Sequence, residues 1–294
     1  MPKRILLMQG YQKHTKRALA ATPFQNLRQN LRLLLLLVSV TPSIVLASEI
    51  SLKNDGSTIS IVGKIVAGDY DKVLQTLLDG GPGTSTVFVS SPGGDAIEAM
   101  KIGKLIREQS LATSVPFSIR GNAVCPSNLA SPSDCTCFSA CVLIYLAGIE
   151  RQGDYLGVHR VYLNQDTVRS LSIDDSAKTT RKISKNLDEY IDAVGAPNTL
   201  RDRIQAASAN EIDMLESKYV NKFLSGFIPE YGDWIIAKCG DSRSLIEEMS
   251  LQNQGSTPQQ DARLEEISSC EYEELFIVRI EKYRQLREKH PLPP

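Results

Sequence analysis

The sequence predicts an α/β protein whose central sheet is largely parallel. Short β-branched runs alternate with helix-period patterns along most of the chain. The apolar run "STVFVSS" stops at Pro92 and leads through Gly93-Gly94 into an amphipathic helix. An almost wholly apolar segment, "FSACVLIYLAG", reads as a buried core helix closed by Gly148.

The elements follow in order. "STISIVGKIVAGDYDKVLQTLLDG" reads as a strand, a glycine turn and a helix over Asp69 to Leu78. "STVFVSSPGGD" is the second strand, and the next helix sets Ile97, Met100, Ile102, Leu105 and Ile106 on one face, with Lys101, Lys104 and Arg107 toward water. It should lay that apolar face on a sheet. "TSVPFSI" reads as a third strand and "CPSNLASPSDC" as a surface loop between cysteines. "YLGVHRVYL" reads as a further strand. No internal repeat is evident.

Composition fixes the compartment expected. The chain has 294 residues, 42% of them hydrophobic and 23% charged, enough for one medium domain with an appendage. Seven basic residues and no acidic one precede Glu49, and Arg32 is followed by "LLLLLVSVTPSIVLA". A basic lead, an apolar run and small residues at Val45 and Ala47 form a signal-peptide pattern over 1–47. An uncleaved membrane anchor is the rival, against which Pro42 and the short run argue. Cleavage after Ala47 would leave 26 basic residues against 34 acidic ones, a balance that excludes a nucleic-acid partner. The protein is thus expected to be periplasmic or secreted.

All six cysteines lie downstream of that leader and would meet an oxidising environment. Cys239 and Cys270 are expected to pair, being the only two in the C-terminal segment. Pairing among Cys125, Cys135, Cys137 and Cys141 is open. "CTC" followed by "FSAC" matches no usual zinc spacing, so no metal is expected.

Adjacent glycines between a strand and a helix allow positive φ, a close approach to a ligand and free N–H groups, which suit a developing oxyanion. Ser139 opens the buried helix. His159 is the only histidine between the leader and the C-terminal tail. A serine hydrolase needs a nucleophile, a base and an oxyanion hole, and one candidate for each is present. Taken singly, a serine at a helix start is ordinarily a cap and a lone strand histidine is ordinarily structural.

"SPGGDAIEAMKIGKLI", "CFSACVLIYLAG" and "GVHR", in that order, resemble the Clp protease proteolytic subunit superfamily, and within it a secreted or periplasmic branch. The resemblance covers about residues 57 to 226 and implies a Clp protease/crotonase-like core over 48–226, with a small helical extension over 227–294. It implies Ser139 as nucleophile, His159 as base, and Gly93, Gly94 and Ala140 as the oxyanion hole. "NEIDMLESKYVNKFL" resembles the segment carrying the acid, with Asp213 first and Glu211 next. Cysteines flanking the serine and a short serine-to-histidine interval depart from the family pattern. The function implied is a serine peptidase or hydrolase of the cell envelope, without a cofactor, acting on a peptide or protein. A crotonase-like thioester enzyme and a non-catalytic binding protein are the alternatives. The sequence leaves open a homo-oligomer and a partner for the C-terminal helix, "ARLEEISSCEYEELFIVRIEKYRQLREK".

Overall fold

The computed structural model describes residues 47–160, 169–251 and 255–291. The expected leader, apart from Ala47, and the end of the predicted strand "YLGVHRVYL" (161–163) lie outside the described residues. In chain order the strands are β1 (Glu49–Lys53), β2 (Thr58–Val62), β3 (Thr86–Ser90), β4 (Ala112–Ser114), β5 (Phe117–Ile119), β6 (Asn122–Val124), β7 (Glu150–Gln152), β8 (Gly157–Val158), β9 (Asp213–Met214) and β10 (Gly226–Phe227). The helices are α1 (Asp69–Gly80), α2 (Ala96–Glu108), α3 (Ala140–Leu146), α4 (Ile173–Ala193), α5 (Asn198–Ala206), α6 (Ser217–Phe223), α7 (Pro229–Cys239), α8 (Ser242–Leu251) and α9 (Pro258–Lys289).

A mixed, mostly parallel sheet of six strands runs in the order β1, β2, β3, β4, β7, β10. The pairs β2–β3, β3–β4 and β4–β7 are parallel, while β1 and β10 close the two edges antiparallel. The inner strands read as near-continuous apolar runs because helices or loops cover both their faces. Ile59, Ile61, Val87, Phe88 and Val89 are accordingly fully buried. Helix α1 packs on α2 and α2 on α3, with their apolar faces in the main core. Arg107 and Arg151 staple the far ends of this layer: both donate to Val194 O, at 3.2 and 2.7 Å, and Arg107 Nε also donates to Ala147 O at 2.7 Å. Carbonyls at helix C-termini lack intrahelical partners, and these guanidinium groups satisfy several of them.

The predicted strand "TSVPFSI" is divided. Only β4 belongs to the main sheet, and Pro116, which has no N–H to give to a ladder, separates it from β5. The Pro116 carbonyl instead accepts from the N–H groups of Asp154 and Tyr155. β5 turns away to pair with β6 in an antiparallel hairpin. The loop that follows is closed by a Cys125–Cys135 disulfide.

The C-terminal segment joins the core directly. β10 spans the position at which the sequence suggests a boundary, and it hydrogen-bonds to β7. Beyond it, Ile228, Ile235, Cys239, Ile267 and Leu275 gather with Ile149 into a second apolar cluster. The expected Cys239–Cys270 disulfide is present and ties α7 to α9. Helix α9 has 32 residues, starts with a capping box at Thr257 and Gln260, and buries Leu286 in the main core. No helix among the described residues is long and apolar enough to cross a membrane.

Candidate functional site

The strand ends feed a second, shorter ladder made of isolated bridges. Ile65 bridges Gly94, Ser91 bridges Cys137, Phe138 bridges Gly157, and β8 pairs with β9, setting Val158 opposite Asp213. This ladder carries each chain segment that the sequence nominates and brings them to one end of the parallel strands.

The Ser-Pro-Gly-Gly junction has a specific geometry. Gly93 has φ 104° and Gly94 φ 143°, conformations that disfavour any residue with a Cβ. A Cβ on Gly93 would lie 2.7 Å from Ser139 Cβ, and one on Gly94 would lie 2.0 Å from the Ile65 carbonyl oxygen. Both glycines are therefore required, each by a different neighbour. The Gly93 N–H is taken by Ser91 Oγ at 3.0 Å, a serine turn of the usual two-residue reach. Neither Gly94 nor Ala140 donates its N–H to another described residue's backbone. Asp95 then caps α2, accepting from the N–H groups of Ile97 and Glu98.

Ser139 sits at φ 58°, ψ −120°, on the turn between a bridge residue and the first turn of α3. Such a conformation costs on the order of 1–3 kcal/mol in a non-glycine residue and persists only where its surroundings enforce it. Here the Ser139 N–H donates to Gly157 O at 2.9 Å, Phe138 N–H to Ser91 O at 3.0 Å, and Gly157 N–H to Cys137 O at 3.0 Å. A strained strand-to-helix turn projects its side chain beyond the end of the strand. A disulfide between Cys137 and Cys141 straddles the serine.

Ser139, Ala140 and His159 line one small cleft whose walls are the apolar side chains of Ala96, Val142, Leu143, Val158, Leu187 and Ile204. Helices α4 and α5 supply the last two. Ser139 and His159 are both half-buried. The His159 Nδ1 lies 2.8 Å from the Arg160 carbonyl oxygen. A carbonyl only accepts, so Nδ1 is the donor, and the lone pair of the neutral ring is on Nε2.

Asp213 is gripped by an arginine of α5. Its two oxygens accept from Arg203 Nε at 2.7 Å and Nη2 at 3.0 Å, a bidentate pair. The hydrogen bonds from Arg203 hold the Asp213 carboxyl below its ordinary pKa, against a smaller upward push from burial. Glu211 is exposed on the preceding turn. The Arg160 carbonyl, Arg203 and Ser91 are thus parts of the site region that sequence reasoning missed. Only Ser91 had a readable signal, as the serine two residues before a turn glycine.

No metal-binding cluster of His, Cys, Asp or Glu occurs among the described residues. The chain matches no protein-family model and no curated protein. Among solved structures it is similar to a serine-to-alanine mutant of the membrane-bound, stomatin-specific protease 1510-N, at 14% identity and a TM-score of 0.35, over 60% of this chain and 81% of that one.

Proposed function

We propose that the protein is a serine peptidase or hydrolase of the cell envelope in which Ser139 is the nucleophile and His159 the general base. The observation that carries this reading is the strained Ser139 turn, packed against Gly93, opening into a cleft that His159 also lines. With Nδ1 donating to the Arg160 carbonyl, Nε2 takes the Ser139 proton as Oγ attacks a substrate carbonyl carbon. The oxyanion that forms accepts hydrogen bonds from the Gly94 and Ala140 N–H groups. The imidazolium returns the proton to the leaving amine, and water then hydrolyses the acyl-enzyme by the same route in reverse. The Arg160 carbonyl holds the histidine tautomer, and Asp213 acts through Arg203 to tie β9 to α5. The three disulfides support an oxidising location, the periplasm or the exterior.

A fluorophosphonate probe tests this. The wild type should be labelled, Ser139→Ala should not be, and His159→Ala should be labelled on the order of 10²–10⁴-fold more slowly. A folded wild type that resists the probe from neutral to alkaline pH overturns the hydrolase reading in favour of a binding protein.

A further inference from the structure

We propose that the Cys137–Cys141 disulfide is a positioning clamp for Ser139, so that the nucleophilic turn is fully formed only once these two thiols have been oxidised. The proposal rests on the hydrolase reading for its catalytic consequence, and on geometry alone for its structural one. The two sulfurs belong to residues two before and two after Ser139, with Cα atoms 5.3 Å apart, so the serine is the apex of a covalently closed five-residue ring. Both cysteines are fully buried, and Cys141 Sγ lies 4.0 Å from the Val89 carbonyl of β3. The ring therefore rests on the sheet rather than hanging in solvent.

Loop length separates this disulfide from the other two. The bonded cysteines are 10, 4 and 31 residues apart in the three bridges. Cross-link stabilisation of the whole fold grows with the loop closed, so the four-residue bridge contributes least to global stability. Its effect is local instead. Ser139 holds φ 58° with hydrogen bonds on its strand side, from Ser139 N–H to Gly157 O and from Phe138 N–H to Ser91 O. On its helix side are the first bonds of α3, from Cys141 N–H to Phe138 O at 3.1 Å and from Val142 N–H to Ser139 O at 3.0 Å, at the start of a seven-residue helix packed in the core. The disulfide ties the helix side of the turn to its strand side. A residue held in an unfavourable conformation relaxes when one of its two flanks is released.

The oxidation is an ordinary exchange with a protein disulfide oxidant. One cysteine thiolate attacks a sulfur of the oxidant's disulfide, forming a mixed disulfide and expelling a thiolate. The second cysteine thiolate then attacks the mixed disulfide, expelling the other thiolate. Two electrons pass to the oxidant, and the two thiol protons go to solvent or to the departing thiolates. A chain kept in a reducing compartment would carry the serine and the histidine without the clamp.

The test compares Cys137→Ala/Cys141→Ala with wild type and with Cys239→Ala/Cys270→Ala. The clamp variant should react with a fluorophosphonate on the order of 10²-fold more slowly, the effect of a small misplacement of a reacting group. The midpoint of its pH–rate profile should stay where the wild type has it, because His159 is untouched. The Cys239/Cys270 variant should label at the wild-type rate. Amide hydrogen exchange provides the readout that does not need activity: the Ser139 and Gly157 N–H groups should exchange at least tenfold faster in the clamp variant, and the same in wild type refolded under a dithiol reductant. Reoxidation of that refolded protein should restore slow exchange. Wild-type labelling rates in the clamp variant, or unchanged exchange at Ser139 and Gly157, overturn the proposal. If wild type is not labelled at all, the hydrolase reading fails and the exchange data alone decide the clamp.

Discussion

Gly93 and Ser139 stand too close for any side chain to come between them. A Cβ on Gly93 would be 2.7 Å from Ser139 Cβ, 2.9 Å from the Phe138 carbonyl oxygen and 3.1 Å from Ser139 Oγ. Two of these three contacts are with atoms of the serine side chain, so Gly93→Ala must displace the serine or its own strand end. With φ at 104° the alanine is also strained. The variant is expected to lose about 1–3 kcal/mol of stability and at least tenfold in fluorophosphonate labelling. Thermal unfolding and labelling rates measured together check both.

Asp213→Asn distinguishes a buttress from a triad acid. Its side chain and that of Arg203 are 39% and 26% exposed, so the pair is screened and worth at most about 1 kcal/mol. The folded carboxyl is held below its ordinary pKa of about 3.9, so its stabilisation is complete above that value and fades as pH falls through the depressed one. The asparagine variant should therefore show a shallower stability loss below about pH 4. Its labelling rate should fall less than tenfold, whereas loss of a true triad acid costs about 10⁴. Urea midpoints from pH 3 to 7, with labelling rates, decide between the two.

Glu98 anchors the start of α1 from a neighbouring helix. It is buried, and Oε1 accepts from the N–H groups of Gly68 and Tyr70, both at 2.8 Å, while Oε2 meets Lys101 Nζ at 3.0 Å. Burial pushes this carboxyl upward, but the hydrogen bonds from Tyr70, Lys101 and Gly68 outweigh it and hold the pKa below the ordinary value. The stability it gives is present above about pH 4.3 and is lost as the pH drops through the lowered value. Glu98→Ala should cost about 1–3 kcal/mol near neutrality by stranding two helix-start donors. Denaturant unfolding at pH 7 and pH 3 should show the variant converging on wild type at the lower pH.

Removing the Cys239–Cys270 bridge should lower stability by about 3–4 kcal/mol on the chain-entropy argument, since the cysteines are 31 residues apart. The loss should concentrate in α7 and α9, which share the second apolar cluster. Calorimetry of Cys239→Ala/Cys270→Ala measures the total, and hydrogen exchange locates it. An unchanged melting temperature would count against a stabilising role.

Periodicity and turn residues made much of the sheet readable. The runs at Thr58 to Ile61 and Val87 to Ser90 are buried on both faces, so their apolar and β-branched character is near-continuous and the parallel arrangement shows in the sequence. Pro116 was readable as a breaker, yet "TSVPFSI" looks like one strand, because propensity does not say which sheet each half joins. β10 was hidden by its length of two residues. Cys239 with Cys270 could be picked out by isolation, whereas four cysteines between 125 and 141 allow three connectivities. Around the cleft, the order of Gly-Gly, serine and histidine leads to segments that the fold gathers. The contact of His159 with the Arg160 carbonyl leaves no mark, because a backbone acceptor is common to every residue type. The Arg203–Asp213 pair depends on α5 and β9 meeting in space, which spacing along the chain does not encode.

Helix α9 sends Tyr283 OH to the Leu78 carbonyl at 2.8 Å, across 205 positions of sequence, and buries Leu286 in the same core as β2 and β3. At synthesis rates of roughly 5–20 residues per second, the end of α1 waits on the order of 10–40 s for this partner to be made. Until then part of the first core faces solvent, and the nascent chain lacks its final tertiary seal. A fold whose first core is sealed this late leaves apolar surface open to non-native contacts for most of its translation.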